Sequence, residues 1–416
     1  MKQRLMRRLS GDDVLRYGSV MFVASIATHI LNYLYQVTMG RMLGPEEYGI
    51  FGALFAIFYM SSVVSQTLTT STTSFISRLK AGGESTGAFI SGALRRSGML
   101  GIAVSASVLI ASGTIAELLR VPLEDVRMLA LILLLTFLLP VPWGVLRGMK
   151  RFMAVGSLNI ISAGAKLVLG VVLVWLGYGV TGALASTALG LLLALIAGIL
   201  LISPHMGGSS KRFSFSAFYS YSLPVLVAML CFSVPANLDV VLAKYFFSAK
   251  EAGLYASASV LGKISFFFPS AIYAVMFPMI AEAHAKGENT TGLLLRCLKY
   301  ASALSGGVVL LYWLFPGVVV TVFGSSYAAA LPLLLPYSIT MLLFSTSAII
   351  LNYHLAIRNM RYVLLFSGFT LLEVLLLLLF HETPLQMVQV MLAANLALSA
   401  TSLVYTLRGR HGQEGA

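Results

Sequence analysis

The sequence predicts an all-α integral membrane protein with about 12 transmembrane helices, arranged as two six-helix lobes. Composition is the first observation behind this fold class: hydrophobic residues make up 58% of the chain, charged residues only 10%, and the mean hydropathy is +0.90. Apolar runs of about 20 residues, the length that crosses a hydrocarbon layer of about 30 Å, recur along the whole chain. Short motifs of the first half return in the second half, which indicates an internal repeat.

The apolar runs divide the chain into predicted spans. Their limits are 17 to 39, 46 to 76, 92 to 113, 127 to 147, 152 to 176, 179 to 202, 217 to 243, 251 to 281, 297 to 322, 328 to 356, 361 to 380 and 385 to 407. A stretch rich in Pro, Gly and Ser separates the halves. The predicted domains are an interfacial segment (1–16), an N-terminal lobe (17–202), a linker (203–216), a C-terminal lobe (217–407) and a tail (408–416).

The positions of the 28 lysines and arginines set the predicted topology, because cytoplasmic loops collect these residues. With both termini in the cytoplasm, 21 of them fall on the inner side and 5 on the outer side, while Lys166 and Lys263 lie within spans. We therefore expect a multi-pass protein of the cell membrane, in contact with membrane lipids, with cytoplasmic termini. The net charge of +13 is scattered between apolar runs, so no nucleic-acid partner is expected.

The corner between the first two spans, GRMLGPEEYGIF at 40–51, carries the signals of a helix start. Gly44 occupies the N-cap position and Pro45 the first helical turn, where no backbone donor is needed. Glu47 places negative charge at the positive end of the helix dipole. The pattern predicts a hairpin between two membrane helices.

The same pattern returns at the start of the eighth span. Ser248 and Glu251 have the spacing of a capping box. Glu47 and Gly49 correspond to Glu251 and Gly253 at a constant offset of 204 residues. A second echo relates LRGMKRF at 146–152 to AIRNMRY at 356–362, with an offset of 210. Because each half has six spans, the repeat is parallel, related by a pseudo-two-fold axis along the membrane normal. Gly49 and Gly253 are expected to let helices approach closely at an outer gate.

Motifs of covalent chemistry are missing from the sequence. It contains no G-x-x-x-x-G-K-[ST], no H-E-x-x-H and no G-x-S-x-G. Only two cysteines occur, so neither a disulfide framework nor a metal site is expected. The longest predicted outer loop runs only from Gly113 to Leu123. These observations predict a transporter, not an enzyme, and no cofactor.

The corner RMLGPEEYGIF and the second-half stretch AGLYASASVL resemble the polysaccharide-transport family of the multidrug, oligosaccharidyl-lipid and polysaccharide exporter superfamily. The similarity in span count and halves covers nearly the whole chain. It implies two six-helix lobes around a central cavity lined by the first, second, seventh and eighth spans. It also implies a lipid-linked oligosaccharide as substrate, and glycan polymerases or glycosyltransferases as candidate partner proteins. Lipid II flippases of the superfamily usually have about fourteen spans, more than this chain can hold.

Charged residues within spans are costly, so each calls for a partner or a wet cavity. Lys263 lies near the middle of the eighth span, where the resemblance places the cavity and where a cation could meet a diphosphate. Arg16 and Arg78, at the inner ends of the first two spans, are candidates to receive the head group first. A structural ion pair is the alternative for Lys263.

Three further intramembrane charges have their own interpretations. Asp239, close to Asn237, matches an acidic position of the family, so it is a candidate to bind a coupling Na+ or H+ or to hold the gate; a structural pair is again the alternative. Lys166 and Glu373 lie on the equivalent fifth and eleventh spans, three residues out of register. Packing with satisfied partners is the expectation for both.

The second span is rich in hydroxyl groups between Ser61 and Ser74. Four polar residues share a face by helical spacing and would suit a cavity wall that contacts sugars, namely Gln66, Thr69, Thr70 and Thr73. Close packing of small residues is the alternative, and some hydroxyls should bond to their own backbone.

The function predicted from all this is an alternating-access flippase. It would move a polyprenyl-diphosphate-linked oligosaccharide from the inner to the outer leaflet. Two alternatives remain open: a cation-coupled exporter of organic cations, which would have an acidic cavity, and a polytopic glycosyltransferase or polymerase, which the short outer loops disfavour.

Overall fold

A computed structural model of the chain describes residues 2–207, 215–286, 288, 290–357 and 359–411. Within these ranges all regular structure is helical. The α-helices are α1 (Lys2–Ala81), α2 (Gly87–Ile110), α3 (Ser112–Leu119), α4 (Leu123–Leu138), α5 (Pro140–Gly148), α6 (Phe152–Leu173), α7 (Gly179–Ile202), α8 (Ser216–Ser233), α9 (Leu238–Phe246), α10 (Ala249–Gly262), α11 (Ile264–Phe267), α12 (Ser270–Ala285), α13 (Thr291–Leu314), α14 (Val318–Phe323), α15 (Leu331–Ala356), α16 (Met360–Leu379) and α17 (Pro384–His411).

Eight segments of the described chain are long and apolar enough to cross a membrane. Two of them, Val23–Ala81 and Phe152–His205, hold 59 and 54 residues, which is more than twice the length that one crossing needs. The chain is therefore a multi-pass, all-helical membrane protein.

Glycines interrupt both of these long segments. In α1 the helix breaks at Gly44 (φ 72°, ψ 174°), a conformation that glycine adopts without steric cost, and Pro45 follows in the next helical turn. The helix break predicted at this glycine is confirmed. A π-helical turn, Val174–Tyr178, lies between α6 and α7; Gly177 within it (φ 90°) and Gly179 after it (φ 47°) have positive φ angles. The sequence placed the corner between the fifth and sixth spans at this point.

Four predicted spans consist of more than one helix, which corrects their continuous limits. The span 127–147 is α4 and α5, 217–243 is α8 and α9, 251–281 is α10, α11 and α12, and 297–322 is α13 and α14. Proline lies at or next to a break in each, since it cannot donate to the helical ladder: Pro140, Pro235, Pro269 and Pro316. The third span also begins earlier than predicted, at Gly87.

The chain forms two compact units, and their limits differ from the predicted lobes. Unit 1 contains the residues up to Leu43 and Phe58–Met229, and unit 2 contains Gly44–Ile57 and the chain from Leu230 onward. The start of the second predicted span thus belongs to unit 2, and the start of the seventh belongs to unit 1. The predicted boundary at 203–216 divides the chain once, whereas each unit combines two separate stretches of the chain that contact each other.

In unit 1, an aromatic cluster explains why the first turns of α8 belong there. Phe215 and Phe218 pack against Phe75 and Phe89, with ring centroids 5.5–5.9 Å apart. The guanidinium of Arg96 covers the Phe215 ring at 4.1 Å. These aromatic side chains are buried in a core with residues of α1, α2, α5 and α6. In unit 2, the core forms around α15, which packs against α10, α13 and α17.

Candidate ion and substrate sites

The helix starts at Pro45 and Ala249 contact each other within unit 2. The capping box of α10 is confirmed: Ser248 Oγ accepts from the Glu251 backbone N–H at 3.3 Å, and the Ser248 N–H donates to Glu251 Oε2 at 3.1 Å. A Cβ on Gly49 would overlap the carbonyl oxygen of Ala249. A Cβ on Gly253 would overlap the carbonyl oxygen of Pro45. Glycine is therefore required at both positions.

This contact is reciprocal with respect to the internal repeat. Pro45 and Ala249 are separated by 204 residues, as are Gly49 and Gly253. Gly49 contacts Ala249, and Gly253 contacts Pro45, so each glycine lies against the start of the other helix. One turn further on, a Cβ on Gly52 would lie 2.9 Å from the Cβ of Ala256, again 204 residues later.

A buried acidic cluster in unit 2 is centred on Asp239 of α9, which is 1% exposed. Asp239 Oδ2 accepts from the hydroxyl groups of Tyr255 (3.1 Å) and Tyr337 (2.7 Å). Ser259 Oγ lies 2.8 Å from the Tyr337 hydroxyl and donates to it. Asp239 Oδ1 is buried and has no hydrogen-bond partner among the described residues. The carboxylate is thus half satisfied by tyrosines.

Glu373 of α16 extends this cluster. It is 4% exposed, interacts electrostatically with Asp239, and accepts a hydrogen bond from Asn395 Nδ2 of α17 at 3.3 Å. Asn395 Oδ1 is a second buried acceptor without a partner in the part of the chain that the structure describes. We define the acidic cluster as Asp239, Tyr255, Tyr337, Glu373 and Asn395. Two carboxyl groups and an unused amide oxygen are the ligand types that hard monovalent cations and protons take.

Asn237 does not join the acidic cluster. It lies at the N-cap of α9, and its amide donates to the backbone oxygen of Ser233 at 2.9 Å. The sequence missed Tyr255, Tyr337 and Asn395 as members. All three are polar residues inside apolar runs, but nothing in the sequence indicated that Tyr255 and Tyr337 reach the Asp239 carboxylate and that Asn395 reaches Glu373.

Lys263 lies at the junction between α10 and α11, not in the middle of a continuous helix. Its side chain is half-buried and interacts electrostatically with Asp239. It forms no ion pair with Asp239, whose paired oxygen accepts from the two tyrosines. An ion pair does join Lys286 and Glu282, both of which are exposed.

The hydroxyl-rich part of α1 has two different faces. Thr69 and Thr72 pack against Gly144 of α5, whose added Cβ would lie 2.9 Å from the Thr69 oxygen. Gln66 is exposed, and Thr70 and Thr73 are partly exposed. As predicted, hydroxyls bond to their own helix backbone, with Thr70 donating to the Gln66 oxygen at 3.0 Å. Close packing therefore describes Thr69, while Gln66, Thr70 and Thr73 form an accessible face.

Arg78 and Arg16 are the basic residues predicted at the inner ends of the first two spans. Arg78 is exposed, with its guanidinium 5.7 Å from the Phe75 ring centroid. The side chain of Arg16 lies outside the described residues. His354, a residue of α15, is packed between Tyr362 and Tyr405 and bonds to Thr406 at 3.1 Å.

Unit 1 holds a second buried polar cluster, around Lys166 of α6. Lys166 is 8% exposed, its Nζ donates to Asn32 Oδ1, and it lies 4.5 Å from the centroid of the Tyr35 ring. The Tyr35 hydroxyl donates to the backbone oxygen of Ala183 at 2.6 Å. The satisfied partners expected for Lys166 are present.

Comparison with known proteins identifies the family. The profile described as polysaccharide biosynthesis protein matches residues 14–284, about two thirds of the chain. The chain therefore belongs to the polysaccharide biosynthesis protein family, as the corner motif suggested. No curated protein sequence gives a significant match.

Solved structures share the fold at low sequence identity. An inward-facing multidrug resistance transporter of the MATE family, a member of the MOP superfamily, has a TM-score of 0.79, 16% identity, and coverage of 92% of this chain and 96% of its own. Lipid II flippase MurJ, in an inward closed conformation, has a TM-score of 0.78, 14% identity, and coverage of 93% and 87%. A MOP superfamily transporter from Pyrococcus furiosus has a TM-score of 0.67, 17% identity, and 94% coverage of both chains. The chain has the fold of MOP superfamily transporters.

Proposed function

We propose that this protein is an alternating-access flippase that moves a polyprenyl-diphosphate-linked oligosaccharide from the inner to the outer leaflet. The observation that carries the proposal is membership of a polysaccharide biosynthesis family in a chain with the fold of transporters. The likeness to MurJ supports a lipid-linked substrate, and the likeness to MATE transporters supports the rival, a cation-coupled exporter of organic cations. Glycan polymerases or glycosyltransferases are the proposed partner proteins.

The proposed topology has twelve spans and cytoplasmic termini. The glycine breaks in the two longest apolar segments divide each into two crossings, and the interrupted segments α8–α9 and α10–α12 would supply the last two. The reciprocal glycine contact supports a parallel pseudo-two-fold relation between the halves.

A labelling experiment tests this topology. A membrane-impermeant thiol reagent applied from outside should modify a cysteine placed at Ser326 and leave one at Ser209 unmodified. Labelling at Ser209 alone would mean that the predicted sides are reversed.

Two sets of residues are proposed for substrate recognition, one within each unit. In unit 2, the half-buried ammonium of Lys263 would attract the diphosphate, whose Coulomb attraction to a cation at 4 Å is about 4 kcal/mol for an effective dielectric constant of 20. In unit 1, the accessible face formed by Gln66, Thr70 and Thr73 would contact sugar hydroxyls. Arg78, with Arg16, would receive the head group first.

Coupling to a cation gradient is proposed for the acidic cluster. Asp239 and Glu373 are buried in the same cluster, and its two unpaired acceptors, Asp239 Oδ1 and Asn395 Oδ1, could bind Na+; alternatively, the carboxylates could take up H+. Burying carboxylates is costly even where a lysine such as Lys263 interacts with one of them, so a bound cation would stabilise the conformation in which it contacts Asp239 and Glu373.

Reconstitution decides between the proposed functions. Proteoliposomes containing a fluorescent polyprenyl-diphosphate disaccharide in both leaflets should lose nearly all fluorescence to an external quencher, whereas protein-free liposomes should keep the inner half. Uptake of a fluorescent organic cation without lipid flipping would favour the exporter. A glycan product formed from added nucleotide sugars would favour the glycosyltransferase.

A further inference from the structure

The cluster around Lys166 has no part in the proposed transport of lipid or cation. It joins three helices of unit 1: Asn32 and Tyr35 lie on the first part of α1, Lys166 on α6, and the acceptor Ala183 on α7. Taking an ammonium group out of water is costly unless hydrogen bonds and charge compensate for its lost hydration. The partners of Lys166 include an amide oxygen and an aromatic ring, both of which stabilise a cation without neutralising it.

The packing around the lysine is close on the α7 side. A Cβ on Gly190 would lie 3.2 Å from the Lys166 Cβ and 2.8 Å from the Ser162 oxygen. Ser162 Oγ in turn donates to the Gly190 oxygen at 3.0 Å. The Tyr35 hydroxyl lies 3.3 Å from Ser186 Oγ. The lysine therefore enters a site whose walls are built by all three helices.

The internal repeat relates this site to the acidic cluster. Tyr35 corresponds to Asp239 at the offset of 204 residues that relates Gly49 to Gly253. Lys166 lies on the fifth predicted span, and Glu373 lies on the equivalent eleventh span. The sixth and twelfth spans contribute Ser186 in unit 1 and Asn395 in unit 2. The two clusters therefore draw on corresponding predicted spans of the two halves, with Lys166 and Glu373 three residues out of register.

We propose that the ammonium of Lys166 is a tethered cation, which fills a cation-binding site formed by Asn32 and Tyr35 and holds the first part of α1, α6 and α7 together. Unit 1 would then need no dissolved cation at the place where unit 2 has carboxylates. The comparison with an exchangeable cation in unit 2 rests on the proposed coupling. The role of Lys166 within unit 1 does not rest on the proposed coupling, because its effect on stability can be measured without a transport assay.

Chemical rescue tests this inference. Lys166→Ala removes the propyl-ammonium part of the side chain and should lower the Tm of the detergent-purified protein by at least about 5 °C. Adding n-propylammonium chloride should restore at least half of that loss, while n-propanol or an equal concentration of NaCl should not. Equal rescue by n-propanol would mean that the site needs volume only, and no rescue by n-propylammonium would contradict a cation site.

A second variant covers the case in which Lys166→Ala does not fold. Lys166→Met keeps most of the volume and removes the charge, so a lower Tm, or no folded protein, supports the proposal, and a Tm equal to that of the unmodified protein overturns it. Asn32→Leu should lower Tm as well, and the double variant Asn32→Leu/Lys166→Met should lose less than the sum of the two single losses. Additive losses would mean that the amide and the ammonium act independently.

Discussion

Each of the two units contains a buried polar cluster, and the charged groups in the two clusters have opposite signs. In unit 1 the ammonium of Lys166 contacts an amide oxygen and a tyrosine ring, whereas in unit 2 the carboxyl groups of Asp239 and Glu373 contact tyrosines and an asparagine. The recorded amide and ring contacts satisfy the first cluster from within the chain, but the second keeps two buried acceptors without partners among the described residues. The difference teaches that clusters on corresponding predicted spans can carry opposite charges.

The largest effect is expected at Lys263, the other lysine within a predicted span, because its half-buried ammonium is the group proposed to attract the diphosphate. Lys263→Ala should lower the rate of flipping by about a thousandfold, the equivalent of about 4 kcal/mol of lost attraction, with protein level and Tm unchanged. Lys263→Arg should retain activity. Lys166→Met should differ from Lys263→Ala in that it lowers the Tm. Normal flipping by Lys263→Ala, or its failure through degradation, would assign that lysine to a structural role.

Asp239→Asn should have the next largest effect, because it removes one of the two carboxylates proposed to bind the coupling cation. We expect gradient-driven flipping to fall by about a hundredfold, the equivalent of about 3 kcal/mol, measured in proteoliposomes with imposed Na+ or H+ gradients. Lys166→Met should keep the same cation requirement as the unmodified protein. A cation requirement that survives in Asp239→Asn would place coupling elsewhere.

The glycine contact provides a test confined to unit 2. Gly253→Leu forces a side chain against the Pro45 carbonyl and should shift α10, which carries Tyr255 of the acidic cluster. Overpacking of this kind costs about 1–3 kcal/mol, so transport should fall by about tenfold in a flipping assay. Gly49→Leu should act in the same way, and Gly306→Leu, which faces open space on α13, is the matched control. Unimpaired transport in both variants would limit the repeat to helix-start chemistry.

The smallest effect is expected for Tyr337→Phe. This change removes the 2.7 Å hydrogen bond to Asp239 but leaves the bond from Tyr255. A hydrogen bond to a charged group contributes about 1.5–3 kcal/mol, part of which a bound cation would replace. The cation concentration for half-maximal transport should therefore change by a few-fold at an unchanged maximal rate. A loss of maximal rate instead would indicate that the hydroxyl takes part in the transport step.

The sequence predicted much of the fold because the starts, ends and apolar lengths of membrane helices depend on residues close together in the chain. The helix break at Gly44 and the capping box at Ser248 depend on residues within one turn of each other, and both are confirmed. The interruption at Lys263 was missed, since an apolar run with one charge looks the same whether or not its helix is continuous. The membership of the acidic cluster was also missed, because Asp239, Tyr337 and Asn395 are far apart in the chain and only packing brings them together.

The assignment of Gly44–Ile57 to unit 2 and of Ser216–Met229 to unit 1 has a consequence for any division of the protein into fragments. A cut in the 203–216 linker would leave the Gly44–Ile57 segment on one fragment and the rest of unit 2, including its contact partner Gly253, on the other. The same cut would remove Phe218 from the aromatic cluster that it forms with Phe75 and Phe89. Neither fragment would contain a complete unit, so the two halves of the chain are obligate complements of each other.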